Sequence, residues 1–152
     1  MKKGFTLIEL VMGVGIILVT ILGVISVCNH SVLLNRLSEG RTLALMSAQA
    51  KLEEMRSHSF TTLQTDYGSG GNPGNIFVPI TPYPSSLTGM GNITFFDQGN
   101  AAIGVQVSVS WSEKGRIFGE DTNLNGRLDP GEDTNGNGRL DSPVQLVTYF
   151  TG

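Results

Sequence analysis

GFTLIELVMGVGIILVTILGVISVC, residues 4–28, is the longest apolar run in the chain, and its reading decides the fold. From Leu10 to Cys28 no side chain is charged. Those nineteen residues, at about 1.5 Å each in a helix, span about 28 Å, close to the hydrocarbon thickness of a bilayer. A helix apolar on every face belongs in lipid or in a bundle of like helices. Gly13, Gly15 and Gly23 weaken it by about 1 kcal/mol each relative to alanine but let another helix approach closely. Glu9 stands just inside the run. An ionised group at the bilayer centre costs roughly 2.5–3.5 kcal/mol, so this carboxylate needs a reason.

Met1-Lys2-Lys3 supplies the basic flank of an export signal. A removable secretory signal would close on a small-x-small site near residues 25–28, where Ile25-Ser26-Val27-Cys28 offers none. A lipoprotein signal would put a small residue directly before Cys28, and Val27 is not one. What remains is a cut ahead of the apolar run, at Gly4–Phe5, or a plain uncut anchor.

Beyond the run the character changes. Phe5 to about Ser57 reads as one helix. In its second half Leu33, Leu37, Ala44, Ala48, Leu52 and Met55 recur three and four apart, with Arg41 at the solvent edge of that stripe. The first proline is Pro73, and residues 66–100 are rich in Gly, Pro, Ser and Asn. Three strand candidates follow, 92–96, 103–111 and 144–150. In the middle one Ile103, Val105, Val107, Val109 and Trp111 alternate with small or polar residues, the mark of a half-buried strand. The expected fold is α+β: a long N-terminal helix, membrane-spanning in its first half, packed against a small antiparallel meander.

The net charge of −3 comes without any dense basic patch, so nucleic acid is not an expected partner. The single cysteine cannot close an internal disulfide, and two isolated histidines, His30 and His58, make no catalytic or zinc cluster. No Ser/His/Asp or Cys/His set is visible, and an enzyme is not expected.

Residues 119–142 are a tandem twelve-residue repeat, GEDTNLNGRLDP followed by GEDTNGNGRLDS. The first copy satisfies the calcium-loop spacing D-x-[DN]-x-[DN]-G-x5-E. Asp121, Asn123 and Asn125 put oxygens at alternate positions, and Gly126 permits the turn. The Arg127 carbonyl, Asp129 and a bidentate Glu132 complete a shell suited to Ca²⁺. The second copy offers Asp133, Asn135, Asn137, the Arg139 carbonyl and Asp141. Its twelfth position is Val144, so it needs water or a ligand from elsewhere, with Glu120 and Asp129 near in sequence. With no helices flanking the loops, the repeat resembles the Asp/Asn-rich calcium loops of dockerins and thrombospondin-type repeats rather than an EF-hand pair. The plain alternative is a solvated turn that favours Asn, Asp and Gly.

Lys2-Lys3-Gly4-Phe5-Thr6-Leu7-Ile8-Glu9 resembles the class III signal of type IV pilins and type II secretion pseudopilins. The stretch Ala48-Gln49-Ala50-Lys51-Leu52-Glu53 resembles a helix of PilV-type minor pilins and of the I-type minor pseudopilins, and the pair Val109-Ser110-Trp111 and Leu146-Val147-Thr148 resembles the C-terminal strands of PilV-type minor pilins. The resemblance fails at residues 60–90 and at the repeat. It implies a leader of residues 1–4, cut after Gly4 by a prepilin peptidase that N-methylates Phe5. It also implies a transmembrane and filament-core helix over 5–28, an amphipathic helix over 29–58 and a globular β domain over 59–152. In this family Glu9 neutralises the Phe5 amine of a neighbouring subunit, an opposite-charge pairing strongly preferred in an apolar setting. The implied life is in the inner membrane as a single-pass protein, then in a pilus or periplasmic secretion filament with other pilin or pseudopilin subunits. The alternative, from another class, is a membrane-anchored calcium-binding surface module that never polymerises.

Overall fold

The computed structural model describes residues 4, 6–79, 88–99 and 101–152, with the backbone alone at 32–37 and 98. The leader residues 1–3 and Phe5 therefore lie outside the described residues, as do the side chains of Leu33 and Leu37. Helix α1 covers Leu7–Arg56. It begins at a reciprocal cap: the Thr6 hydroxyl accepts from the Glu9 N–H at 3.3 Å, and the Glu9 carboxylate accepts from the Thr6 N–H at 3.4 Å. This is the Thr-x-x-Glu arrangement that satisfies two of the donors left free at a helix start.

The chain divides into two compact units, Met1–Ser38 and Glu39–Gly152. In the first, Leu7–Ser31 is a 25-residue stretch long and apolar enough to cross a membrane, with none of it buried within the chain. Two of its hydroxyls turn back on their own helix. The Thr20 hydroxyl donates to the Ile16 carbonyl and the Ser31 hydroxyl to the Val27 carbonyl. Bonding four residues back satisfies these hydroxyls without water, so they do not oppose an apolar environment.

The second unit is built on a sheet of five antiparallel strands: β1 (Ile76–Phe77), β2 (Thr88–Gln98), β3 (Ala102–Glu113), β4 (Arg116–Phe118) and β5 (Gln145–Thr151). The order is β1-β2-β3-β4, and β5 also pairs with β3. Both β4 and β5 use the same strand: Trp111 faces Phe118, and further along Val107 faces Leu146. The three expected strands are thus β2, β3 and β5, to which the sheet adds β1 beside β2 and the short hairpin partner β4 beside β3. A five-residue helix, α2 (Leu63–Tyr67), precedes them and buries Leu63 and Tyr67.

The core gathers Ala44, Ala48, Leu52 and Met55 of α1 with Ile93, Val105, Val107, Val109 and Trp111. The helix stripe and the odd face of β3 meet as their periodicities require, with small alanines admitting the close approach of helix to sheet. Arg41 is exposed, as expected. One expectation needs correction. β3 is not half-buried, because its polar face is covered as well: Gln106, Ser108 and Ser110 are only 3–4% exposed. The cover is the repeat.

Candidate functional site

The repeat leaves the sheet after β4 and returns at β5, and its two ends are tied together at a neck. The Glu120 N–H donates to the Asp141 carbonyl at 2.8 Å, and the Val109 N–H reaches the Val144 carbonyl at 3.1 Å. From that neck it lies over the polar side of the sheet. The Gln106 amide donates to the Leu140 carbonyl at 3.3 Å and to the Asp141 carboxylate at 3.0 Å. The Asn92 amide donates to the Gly126 carbonyl at 2.8 Å. Leu140 is the buried apolar peg of the cover, while Val144, just beyond it, joins the core on the helix side of the sheet. Beside it the Phe96 ring lies over Gly104, where a Cβ would come within 2.5 Å of the ring, and Arg139 sits 4.3 Å above the same ring. The latter is close enough for a cation–π contact.

The two loops repeat one another bond for bond. In the first, Asp121 accepts from the Asn125 N–H at 3.0 Å and the Gly126 N–H at 2.7 Å. In the second, Asp133 accepts from the Asn137 N–H at 3.0 Å and the Gly138 N–H at 2.8 Å. The Asn123 and Asn125 amides both donate to Asp129 at 2.7 Å, as those of Asn135 and Asn137 do to Asp141 at 2.6 and 2.8 Å. The oxygens of Asn123 and Asn125 meanwhile accept from the backbone N–H groups of Asn125 and Arg127. Gly126 and Gly138 take matching left-handed conformations, φ 74° and 73°. At Gly126 the demand is double, since a Cβ there would also stand 2.6 Å from Ile76.

The structure gives the second loop the acidic partner its own twelfth position lacks. Glu132 accepts from the Thr122 N–H and hydroxyl, both at 2.7 Å, and from the Asp129 N–H at 3.0 Å. Glu120 does the same one repeat later, accepting from the Thr134 N–H at 3.1 Å, the Thr134 hydroxyl, and the Asp141 N–H at 3.0 Å. Each loop is thus clamped by a glutamate twelve residues from its counterpart. Of the two acids named from sequence for this place, Glu120 occupies it, whereas Asp129 is engaged in its own loop. The threonine at the fourth position of each twelve-residue unit was the overlooked signal.

The loops differ in burial. Asp121 is 1% exposed and Glu132 4%, while their counterparts Asp133 and Glu120 are half-buried. Burial pushes the Asp121 carboxyl up, the Gly126 and Asn125 N–H groups pull it down, and the nearby Glu132 charge raises it again; the net result is upward. For Glu132 burial raises the carboxyl, but hydrogen bonds from the Thr122 hydroxyl and from backbone N–H groups outweigh it and hold it below the usual range. The Asn123 and Asn125 amides hold half-buried Asp129 low. Among the described residues the ion pairs are Lys51–Glu54, Arg56–Glu53 and His58–Asp66, none of them in the repeat. The Asp121 and Glu132 carboxylates thus feel one another's charge, and among the described residues neither forms an ion pair. Among the described residues no three His, Cys, Asp or Glu groups converge as a ready metal centre. The loops instead mix carboxylates with amides and carbonyls, and the amide nitrogens now hold the third carboxylate.

Glu9 is exposed, and its partner here is Thr6. His30 contacts the Ser26 carbonyl and His58 contacts Asp66 at 3.3 Å, so neither joins the repeat. Compared with protein-family models, with curated proteins and with solved structures, the chain gives no match in any of the three.

Proposed function

We propose that this chain is a structural subunit, a minor pilin or pseudopilin, of a type IV pilus or a type II secretion filament, and not an enzyme. It is cut by a prepilin peptidase between Gly4 and Phe5, methylated on the Phe5 amine, held in the inner membrane by the first half of α1 and then passed into the filament. The observation that carries this is the Gly4–Glu9 motif standing at the start of a 25-residue apolar stretch that the chain itself leaves uncovered. Such a stretch needs lipid before assembly and like helices after it. Glu9 caps its own helix through Thr6 in the single chain. In the filament it turns to the Phe5 amine of a neighbour, which compensates two charges that are each unfavourable in an apolar interior. A long helix whose second half packs against a small antiparallel sheet fits a pilin-like fold.

The repeat is proposed to hold Ca²⁺. The first loop offers Asp121, Asn123, Asn125, the Arg127 carbonyl, Asp129 and Glu132, and the second offers Asp133, Asn135, Asn137, the Arg139 carbonyl, Asp141 and Glu120. Support comes from two buried carboxylates, Asp121 and Glu132, that hydrogen bonds but no Lys, Arg or His ion pair among the described residues hold, and from the all-oxygen donor set. Two asparagines in each loop keep the charge low, which suits calcium-rich surroundings outside the cytoplasm.

Mass spectrometry of the N-terminal peptide from membranes and sheared filaments tests the central claim. N-methylated Phe5 as the first residue is expected. Full-length protein with Met1 intact, or a chain acylated at Cys28, would establish the non-polymerising anchored module instead.

A further inference from the structure

We propose that the open edge of β5 pairs antiparallel with the same edge of a second copy of this chain, about a two-fold axis at Thr148. The sheet has unequal margins. At one side β1 is two residues long and is followed by Val78-Pro79, and beyond β1 the margin of β2 is interrupted by a bulge at the charged Asp97. At the other, β4 is three residues long and carries Arg116. β5 runs for seven residues, Gln-Leu-Val-Thr-Tyr-Phe-Thr, with no charge, no proline and no glycine. It pairs with β3 on one side only, and among the described residues its other side makes no backbone hydrogen bond outside the sheet. On the sheet face that carries Gln106 and Gly104, its Val147 and Tyr149 are 55% and 54% exposed. An unprotected edge of this kind is a template for another strand.

The order of residues identifies the strand as its own copy. A two-fold axis perpendicular to the sheet keeps the core faces of both copies on one side. The register centred on Thr148 is then the only one in which all seven residues gain a partner. It sets Val147 against Tyr149, Leu146 against Phe150, Gln145 against Thr151, and Thr148 against itself. Apolar meets apolar and polar meets polar at every position, and the aromatic–β-branched and Thr–Thr pairs are among the favourable cross-strand combinations. Shifting by two residues opposes Gln145 to Tyr149 and Leu146 to Thr148, and leaves two residues unpaired. The pairing does not rest on the filament proposal, because it uses the second unit alone.

The experiment uses the full chain in detergent micelles with Cys28→Ser as background. Opposed β-carbons in such a pair lie about 5 Å apart, so Thr148→Cys should form disulfide-linked dimers at least about tenfold faster than Lys114→Cys, on the β3–β4 turn. Thr148→Lys and Thr148→Glu should each be monomeric in sedimentation, since each sets like charges face to face, and a mixture of the two should restore the dimer. The mixture shows that neither variant is merely misfolded. Cross-linking of Thr148→Cys no faster than of Lys114→Cys overturns the proposal, as does dimerisation of the lysine and glutamate variants alone. Association through α1, or a strand from a different protein on this edge, gives the first of those results.

Discussion

Removing one clamp glutamate at a time separates the calcium proposal from its finer claim about Glu120. With calcium at a hundredfold excess over Kd, binding to the folded form alone stabilises it by about 2.7 kcal/mol per site. For a domain of roughly a hundred residues, about 1 kcal/mol moves Tm by some 4 °C, so each filled loop adds about 10 °C and two add about 20 °C. Glu132→Gln and Glu120→Gln keep shape and most hydrogen-bonding atoms but remove the charge and the bidentate oxygens. Each should therefore lose about half of the calcium-dependent shift, and the double variant nearly all of it. In chelator, Glu132→Gln should also melt lower than Glu120→Gln, because only the Glu132 carboxylate is deeply buried among its three donors. The assay is thermal unfolding of the full chain in micelles, in millimolar calcium and in chelator. It is followed through Trp111, the only tryptophan, which is buried and stacked on Phe118 in the second unit. Equal melting of the parent chain in both buffers would sink the calcium proposal. A full shift retained by Glu120→Gln, with the Glu132→Gln shift halved, would leave calcium standing and remove Glu120 from the second site.

Three further outcomes are expected. Gly126→Ala should lose roughly 2 kcal/mol or more by chemical denaturation, since it combines φ 74° with a close approach to Ile76 and Met90, whereas Gly131→Ala, with open space around it, should lose only the conformational part. Glu9→Val should insert into the membrane as well as the parent or better, and be depleted from sheared filaments on immunoblots; parent-like incorporation would rule out the pairing role. Tyr67→Phe should lose about 1 kcal/mol near neutral pH, because the buried Tyr67 hydroxyl donates to Glu54 at 3.0 Å. Although burial works to raise the Glu54 carboxyl, Lys51 and Tyr67 outweigh it and hold it below its ordinary value. Its contribution is therefore present above the unfolded pKa and lost as pH falls through the folded one, so the difference between Tyr67→Phe and parent should shrink below about pH 4.

Much of this architecture was legible because strong periodicity leaves few choices. The apolar run and the three-four spacing of Ala44, Ala48, Leu52 and Met55 led to α1 and its packed face, and the alternation from Ile103 to Trp111 led to β3. What stayed hidden depended on partners distant in sequence. Gln106, Ser108 and Ser110 look like solvent-facing residues until the repeat is laid over them. Glu120 precedes the loop it clamps, so a motif counted forwards from Asp133 runs past it to Val144. The short strands β1 and β4 lack the length for a pattern to show. At Glu9 a charge inside an apolar run drew attention away from Thr6, although Thr-x-x-Glu at a helix start is a local signal.

The cover over β3 hides amides and hydroxyls, not leucines, and this decides what happens when it lifts. A cap that peels from an oily surface leaves something sticky behind. Here the groups laid bare are chiefly Asn92, Gln106, Ser108 and Ser110, which water can hydrogen-bond directly, with Ile76 and Met90 beside Gly126 the apolar exceptions. The oily side of the sheet stays sealed beneath the helix. A chain whose repeat is not yet folded is therefore largely wettable on that side. Folding of the repeat is free to come last.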